Sequence, residues 1–320
     1  MKSESIAARR ISRRQFIRAK LALAAAPLLP APVAVASEYL LPPDDMAIIG
    51  AIGRDVALSS DTLVDIARRN GVGRDEIVSA NPDLNVWLPG AGTEVVLPTR
   101  YILPEAPRDG IVVNLPEMRL YRYAERDGRR MVSTHPVSVG RVDWETPLGT
   151  TRIVRKQKDP NWYPPESIRA EHAADGDPLP KMVPAGPDNP LGQHALRLNI
   201  PGYLIHGTNK PWGVGMRVTH GCLRMYPEDI ETLFDTVPVN TPVHLVNQPV
   251  KLAQHHGTWF IEAHQSLDEE AREPSQLLRE VVVTVSRSQG IESRVNIPAL
   301  RGILERADGV PTAVPLSGKG

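Results

Sequence analysis

Ile205-His206-Gly207-Thr208-Asn209 and Val218-Thr219-His220-Gly221-Cys222-Leu223-Arg224-Met225 are the two stretches on which the reading of this chain turns. Cys222 is the one cysteine of the 320 residues, so no internal disulfide exists and the thiol needs a chemical explanation. A free thiol has a pKa of about 8.5 and is only a few per cent thiolate at neutral pH. An imidazole, a helix N-terminus or an arginine nearby lowers that value. His206 ends a predicted strand, His220 stands two residues before the thiol, Arg224 two after it, and a helix is predicted to begin soon after. Gly221 lets backbone approach closely and leaves amides free for a developing oxyanion.

Outward from this core the pattern is one of short alternating strands. Ile111 to Leu115 and Met118 to Tyr123 flank Pro116-Glu117 as a hairpin. Val132 to Val139, Thr151 to Arg155, Ala195 to Asn199, Tyr203 to His206 and Val243 to Val246 are further strands, with Thr146-Pro147-Leu148-Gly149 as a turn. A β-sandwich or barrel-like domain is expected. Residues 159–194 break the rhythm with eight prolines, and Trp162 and Tyr163 among them predict an ordered flap. Pro227, Glu228 and Asp229 open a helix whose apolar side is Ile230, Leu233, Phe234 and Val237. Residues 248–320 read as an accessory segment with a hairpin near Trp259 and a strand at Val281 to Val285.

His206-Gly207, a 16-residue step, and Thr219-His220-Gly221-Cys222-Leu223-Arg224 together resemble the L,D-transpeptidase catalytic domain of the YkuD type. Thr146 to Gly149 and Pro184 to Gly192 fit the same pattern, and the likeness covers residues 110–247. The domain order resembles the ErfK/YbiS group. The resemblance implies a mainly β fold with small α elements, a YkuD-type β-sandwich, and no cofactor. It implies Cys222 as nucleophile and His206 as base, with the Gly207 carbonyl orienting the imidazole. The amides of Gly221 and Cys222 would form an oxyanion hole, and His220 would line the site and assist. Arg224 would fix the loop or a substrate carboxylate. Thr219, Asn209 and Trp212 join it as candidate substrate-binding residues, although Trp162, Tyr163 and Trp212 could equally pack the flap. The implied reaction cleaves the meso-diaminopimelate–D-alanine bond of a tetrapeptide stem through a thioester. The acyl group then passes to an amine, giving a 3–3 crosslink or a bond to the terminal lysine of an outer-membrane lipoprotein.

Residues 46–98 read as two helices between two short strands, a βααβ unit. Ser60 is placed to cap a helix beginning at Asp61-Thr62-Leu63, Asp75 to Ala80 form a second helix stopped by Asn81-Pro82, and Glu94 to Pro98 close the unit. Asp61-Thr62-Leu63, Ile66-Ala67, Asn81-Pro82, Leu88-Pro89-Gly90 and Val95 to Pro98 resemble a LysM module. Ser60 stands where that family usually has glycine. The resemblance implies binding of N-acetylglucosamine chains of peptidoglycan, with Asp61, Thr62, Asn81 and Pro82 as candidate glycan-binding residues. The rival is a degenerate module that only packs on its neighbour.

At the N-terminus, Ser12-Arg13-Arg14-Gln15-Phe16-Ile17-Arg18 precedes the apolar run Ala19 to Leu29 and then Ala34-Val35-Ala36. This resembles a twin-arginine export signal over residues 1–36, cleaved after Ala36, and predicts a periplasmic protein. Residues 1–36 hold seven basic residues and one acid, so the remaining 30 basic and 36 acidic residues leave the mature chain near −6. That balance speaks against a nucleic-acid partner, and no apolar run of about 18 residues predicts a membrane span in the mature chain. No metal is expected. Three rival readings are a zinc site from His206, His220 and Cys222, an L,D-carboxypeptidase in which water replaces the amine, and a non-catalytic peptidoglycan-binding protein. His255-His256 are expected at the surface, since adjacent strand residues point opposite ways.

Overall fold

The computed structural model describes residues 37–316 except 143, 268–272 and 290–294, so the expected export signal lies outside the described residues. The elements are β1 (Ser37–Leu40), β2 (Ile48–Gly50), β3 (Gly53–Val56), α1 (Leu63–Arg69), α2 (Arg74–Ala80), β4 (Glu94–Leu97), β5 (Arg100–Ile102), β6 (Ile111–Asn114), β7 (Arg119–Arg126) and β8 (Arg129–Gly140). There follow β9 (Gly149–Lys158), α3 (Glu166–Ala174), β10 (His194–Leu198), β11 (Leu204–His206), β12 (Arg217–Thr219), β13 (Leu223–Met225), α4 (Pro227–Thr236) and β14 (Pro242–Val246). The last are β15 (Val250–His255), β16 (Thr258–Ala263), α5 (Pro274–Gln289), α6 (Ile297–Arg306) and β17 (Thr312–Ala313).

The central sheet runs β8-β13-β11-β10-β9-β14-β6-β7 and returns to β8, with β1 and β12 added on β8. Pairing is therefore continuous around the domain, where a sandwich would have two separate sheets. The cause is β8. At twelve residues it is long enough to pair with β7 along its first part and with β13 at Val137 and Ser138. Inside lie Ile111, Val113, Leu120, Val137, Ile153, Leu196, Ile205, Leu223 and Met225, closed by Ile230 and Leu233 of α4. The strands predicted between Ile111 and Val246 and this helix occupy their expected positions.

The βααβ arrangement over β3, α1, α2 and β4 is present, with β3 and β4 antiparallel. Its core is Leu63, Ile66, Ala67, Val72, Ile77, Val95 and Leu97. The helix start differs from expectation. Thr62, not Ser60, caps α1: its hydroxyl accepts the Asp65 amide at 3.1 Å, and the Asp65 carboxylate accepts the Thr62 amide at 2.9 Å. A capping box satisfies two orphan amides at once, which a lone serine does not. Asp61 is drawn inward, accepting the Leu58 amide at 2.8 Å and pairing with Arg69 at 2.9 Å.

This unit is welded to the sheet domain. Glu76 of α2 receives Arg119 of β7 at 2.6 Å, and the guanidinium is fully buried. Arg68 reaches Glu228 through two bonds of 2.9 Å, and the Tyr226 hydroxyl donates to the Val72 carbonyl at 3.1 Å. The Arg74 and Asp75 amides, at the start of α2, donate to the carbonyls of Val214 and Gly215 at 3.0 and 3.1 Å. Backbone meets backbone here. A Cβ on Gly215 would lie 2.5 Å from Gly73 Cα, so both positions need glycine for the approach.

The C-terminal segment is a folded unit in which β15, β16 and β17 support α5 and α6. The strand expected at Val281 to Val285 is helix α5. Leu277, Val281 and Val285, four apart, are buried, the two valines packing in one cluster with Leu300 and Ile303, while Val283 is exposed. The β-branched run signals a strand locally, and packing at helical spacing overrides it. Lys251 of β15 anchors this unit, its buried Nζ lying 2.7 Å from both Glu117 and Glu262. Among the described residues no helix is long and apolar enough to cross a membrane.

Candidate active site

His206 ends β11, and Cys222 immediately precedes β13, which runs parallel to β11 with His206 beside Arg224. Sixteen residues of loop and β12 leave the sheet and return beside it, so the parallel pairing is what brings the two side chains together. Both line one cleft of about 650 Å³. Its sheet side carries His206, Cys222 and Arg224, and its other wall is the flap with Trp162, Tyr163 and Ile168.

The His206 ring is buried, and its Nδ1–H donates to the Gly207 carbonyl at 2.7 Å. In a neutral imidazole that bond leaves Nε2 with the free lone pair. Burial, with the Arg224 charge beside it, lowers the His206 pKa to about 4, opposed by the carbonyls of Gly207 and Leu191. Burial also pushes the Cys222 thiol up, against the Leu204 amide and Arg224, which pull it down. Sγ–H donates to the Gly202 carbonyl at 3.5 Å. At neutral pH the resting pair is thus thiol and neutral imidazole. The helix effect expected on the thiol is not built in, because β13 separates Cys222 from α4.

The Cys222 loop is braced from three sides. Thr219 Oγ1 donates to the Cys222 carbonyl at 2.6 Å, and Thr146 Oγ1 donates to the Gly221 carbonyl at 2.8 Å. Gly221 has φ +93°, and a Cβ there would lie 2.7 Å from the Tyr203 ring. Only glycine fits both demands.

His220 turns toward the flap. Its Nε2 lies 3.0 Å from Glu171 of α3 and 3.4 Å from Arg141, and its ring stands edge-on to Trp144 at 4.7 Å. Burial is the largest influence and lowers its pKa, with Glu171 opposing. Arg141 also reaches Glu171, whose pKa is lowered by Arg141 and then His220. Arg224 lines the cleft with its Nε buried and unpartnered, and burial lowers its pKa. Asn209 and Thr219 line the cleft. Trp212 does not: it lies exposed on the turn Pro211–Gly213, outside the lining, because the next backbone carbonyls are held by α2.

The candidate zinc ligands do not converge, since the ligand atoms of His206, His220 and Cys222 do not gather within 4.8 Å. Among the described residues Glu117, Glu262 and His264 do gather so, but the Lys251 ammonium bonds both carboxylates. In the βααβ unit Asn81 is an internal brace, donating to Ile77 and Val96 carbonyls and accepting the Val96 amide at 2.8 Å. Pro82 is exposed, while Leu58, Trp87 and Leu88 supply the exposed apolar side chains of the neighbouring loops.

Sequence reasoning missed Glu171, Arg141 and Asn189. Asn189 is fully buried, donating to the Pro160 carbonyl at 2.8 Å and accepting the Leu191 amide at 2.9 Å, which folds the flap back on itself. Its place in the proline-rich run Pro184 to Gly192 was the available signal. Helix α3 was hidden by the prolines around it.

The chain matches the L,D-transpeptidase catalytic domain family over residues 108–245. It is 37% identical to the probable L,D-transpeptidase YcfS of Escherichia coli K12 over 88% of this chain and 89% of that one. It is 37% identical to the probable L,D-transpeptidase ErfK/SrfK of Salmonella typhimurium, covering 90% and 94% of the two chains. The probable L,D-transpeptidase YbiS of Escherichia coli K12 is 40% identical over 73% of this chain and 77% of its own.

Proposed function

The chain belongs to the L,D-transpeptidase family, and from that premise we propose that it acts on peptidoglycan stem peptides through Cys222 and His206. The observation that carries the reading is His206 itself: a buried neutral imidazole fixed by Gly207, sharing a cleft with the chain's one thiol.

His206 Nε2 takes the Sγ proton as the sulfur attacks the diaminopimelate carbonyl of the diaminopimelate–D-alanine bond. The tetrahedral oxyanion is met by the amides of Gly221 and Cys222. It collapses to the thioester as the C–N bond breaks, and His206 returns the proton to the departing D-alanine amine. An acceptor amine then attacks the thioester, loses a proton to His206, and expels the sulfur, which recovers that proton. Arg224 faces a substrate carboxylate, and His220 acts by holding the flap through Glu171. The acceptor is a second stem peptide, giving a 3–3 crosslink, or a lipoprotein lysine.

The βααβ unit reads as a LysM module spanning residues 46–98, with the exposed Trp87, Leu88 and Leu58 offering apolar faces to sugar rings. Residues 1–36 read as a twin-arginine signal for export to the periplasm, residues 110–247 as the catalytic domain and 248–320 as the accessory segment.

Mass spectrometry of the chain with a diaminopimelate tetrapeptide and candidate amine peptides tests the reading, with Cys222→Ala as control. Loss of D-alanine with a joined product, absent from the control, is expected. D-alanine loss without joining would mean that water is the acceptor. No Cys222-dependent change would refute an enzyme acting on this substrate.

A further inference from the structure

Strand register places three arginines on the face of the sheet that carries His206. Arg155 of β9 stands directly opposite Arg197 of β10. Arg197 stands opposite Leu204 of β11, and Ala195 opposite His206. Directly paired residues share a face, as do residues two apart. Arg155, Arg197, Leu204 and His206 therefore look the same way, with Arg224 beside His206 on β13.

An Arg–Arg pair across neighbouring strands is destabilising. Among the described residues no carboxylate pairs with Arg155 or Arg197, and both are exposed. The sheet gains nothing from the pair, so the gain belongs to whatever lies on it. Arg197 lines the cleft that holds His206 and Cys222. Arg155 and Arg197 together line a smaller recess that adjoins that cleft, sharing Asn161, Leu191 and Leu204 with it.

We propose that Arg155 and Arg197 form a subsite for a free carboxylate of the acyl-donor peptide, the α-carboxylate of its γ-linked glutamate. This rests on the reading of the cleft as the stem-peptide site. The carboxylate of the departing D-alanine sits on the carbon that bears the scissile amide nitrogen, close to the scissile carbonyl, and so falls to Arg224, which lines the cleft beside His206. Arg197 lies one strand beyond His206 and Arg155 two, about 5 and 10 Å across the sheet. That is the distance of the residue before diaminopimelate. Linkage through the γ-carboxyl leaves the α-carboxylate of that glutamate free on a short arm, and two guanidinium groups bind it by charge-assisted hydrogen bonds.

The test compares two tetrapeptides that differ only there, one with the free glutamate α-carboxylate and one with its amide. For the parent chain the amide is expected to raise KM about tenfold with kcat nearly unchanged. Arg155→Gln and Arg197→Gln should each raise KM for the acid, leave the amide unaffected, and bring the preference near one. Their melting temperatures should hold or rise, because a repulsive pair is relieved; a purely structural pair would lower them. Equal KM for both peptides in the parent, or variants that weaken both alike, would overturn the subsite. Calorimetry on Cys222→Ala with the same two peptides separates the two readings. If the parent releases no D-alanine from either, the enzyme reading fails, while a tenfold preference in Kd still supports the subsite and equal Kd values refute it.

Discussion

The resting state of Cys222 decides how this enzyme is switched on, and alkylation kinetics read it directly. Burial raises the thiol and lowers His206 to about 4, so no thiolate–imidazolium pair exists before substrate arrives. A thiol at or above the ordinary value of about 8.5 is about 3 per cent thiolate or less at pH 7. Iodoacetamide should therefore modify the substrate-free chain at pH 7 at no more than about 3 per cent of its limiting rate. The rate should climb roughly tenfold per pH unit from 6 to 8, with no plateau at low pH. Arg224→Gln removes the one cation that favours the thiolate and disfavours imidazolium. It should move the alkylation curve to higher pH and let the His206 pKa rise from about 4 toward its ordinary value. The measurement is the second-order rate of carbamidomethylation by mass spectrometry from pH 5 to 10. A rate flat between pH 5 and 8 would mean a preformed ion pair and would refute the argument that desolvation dominates.

The same buried imidazole makes stability depend on acid. His206 is depressed in the folded chain, so the unfolded chain binds more protons between about pH 6.5 and about 4, and its contribution, full above 6.5, is lost as pH falls through that window. The parent should lose about 2 kcal/mol more than His206→Gln between pH 7 and pH 5, measured by urea unfolding. Glu76→Gln leaves the buried Arg119 without its counter-charge and should cost about 3–5 kcal/mol, seen as a lower urea midpoint; a change below 1 kcal/mol would contradict the burial argument. Gly73→Val drives a side chain into Gly215 Cα, 3.0 Å from where its Cβ would sit, at an ordinary φ of −78°. Hydrogen exchange of the Val214 to Gly221 amides should speed up at least tenfold, and unchanged exchange would show that α2 does not hold the loop. Lys251→Met strands Glu117 and Glu262 together in a buried site. The C-terminal unit should then detach at neutral pH, read as new protease cleavage between residues 250 and 264, in the hairpin of β15 and β16.

Local signals identified what local physics controls. The spacing of Ile230 and Leu233 behind Pro227 defined α4 by reporting its buried side, and short apolar and β-branched runs bounded by turn residues defined β6, β7 and β8, of which β6 and most of β8 are buried on both faces. The Val281 to Val285 run failed as a strand signal because the partner surface on α6 chooses between helix and strand for a β-branched sequence. The caps show the same limit. Thr62 and Ser60 are equally good cap acceptors on paper, and Asp65 decided between them.

For the candidate site, the meeting of His206 and Cys222 in one cleft, with Gly221 at a close backbone approach, was legible because the proposed chemistry calls for those residue types at fixed offsets. Glu171, Arg141 and the Arg155–Arg197 pair were not. Their significance arises from partners dozens of residues away, and a linear pattern carries no information about which distant side chain will share a face. By itself the sequence determined the β-rich frame and which thiol and imidazole to propose as nucleophile and base, since these follow from residue chemistry and short-range periodicity. The tertiary structure alone decided the protonation state of that pair, the turning of His220 toward the flap and the docking of the βααβ unit on the active-site loop. Desolvation and long-range contacts exist only once the chain has closed around them.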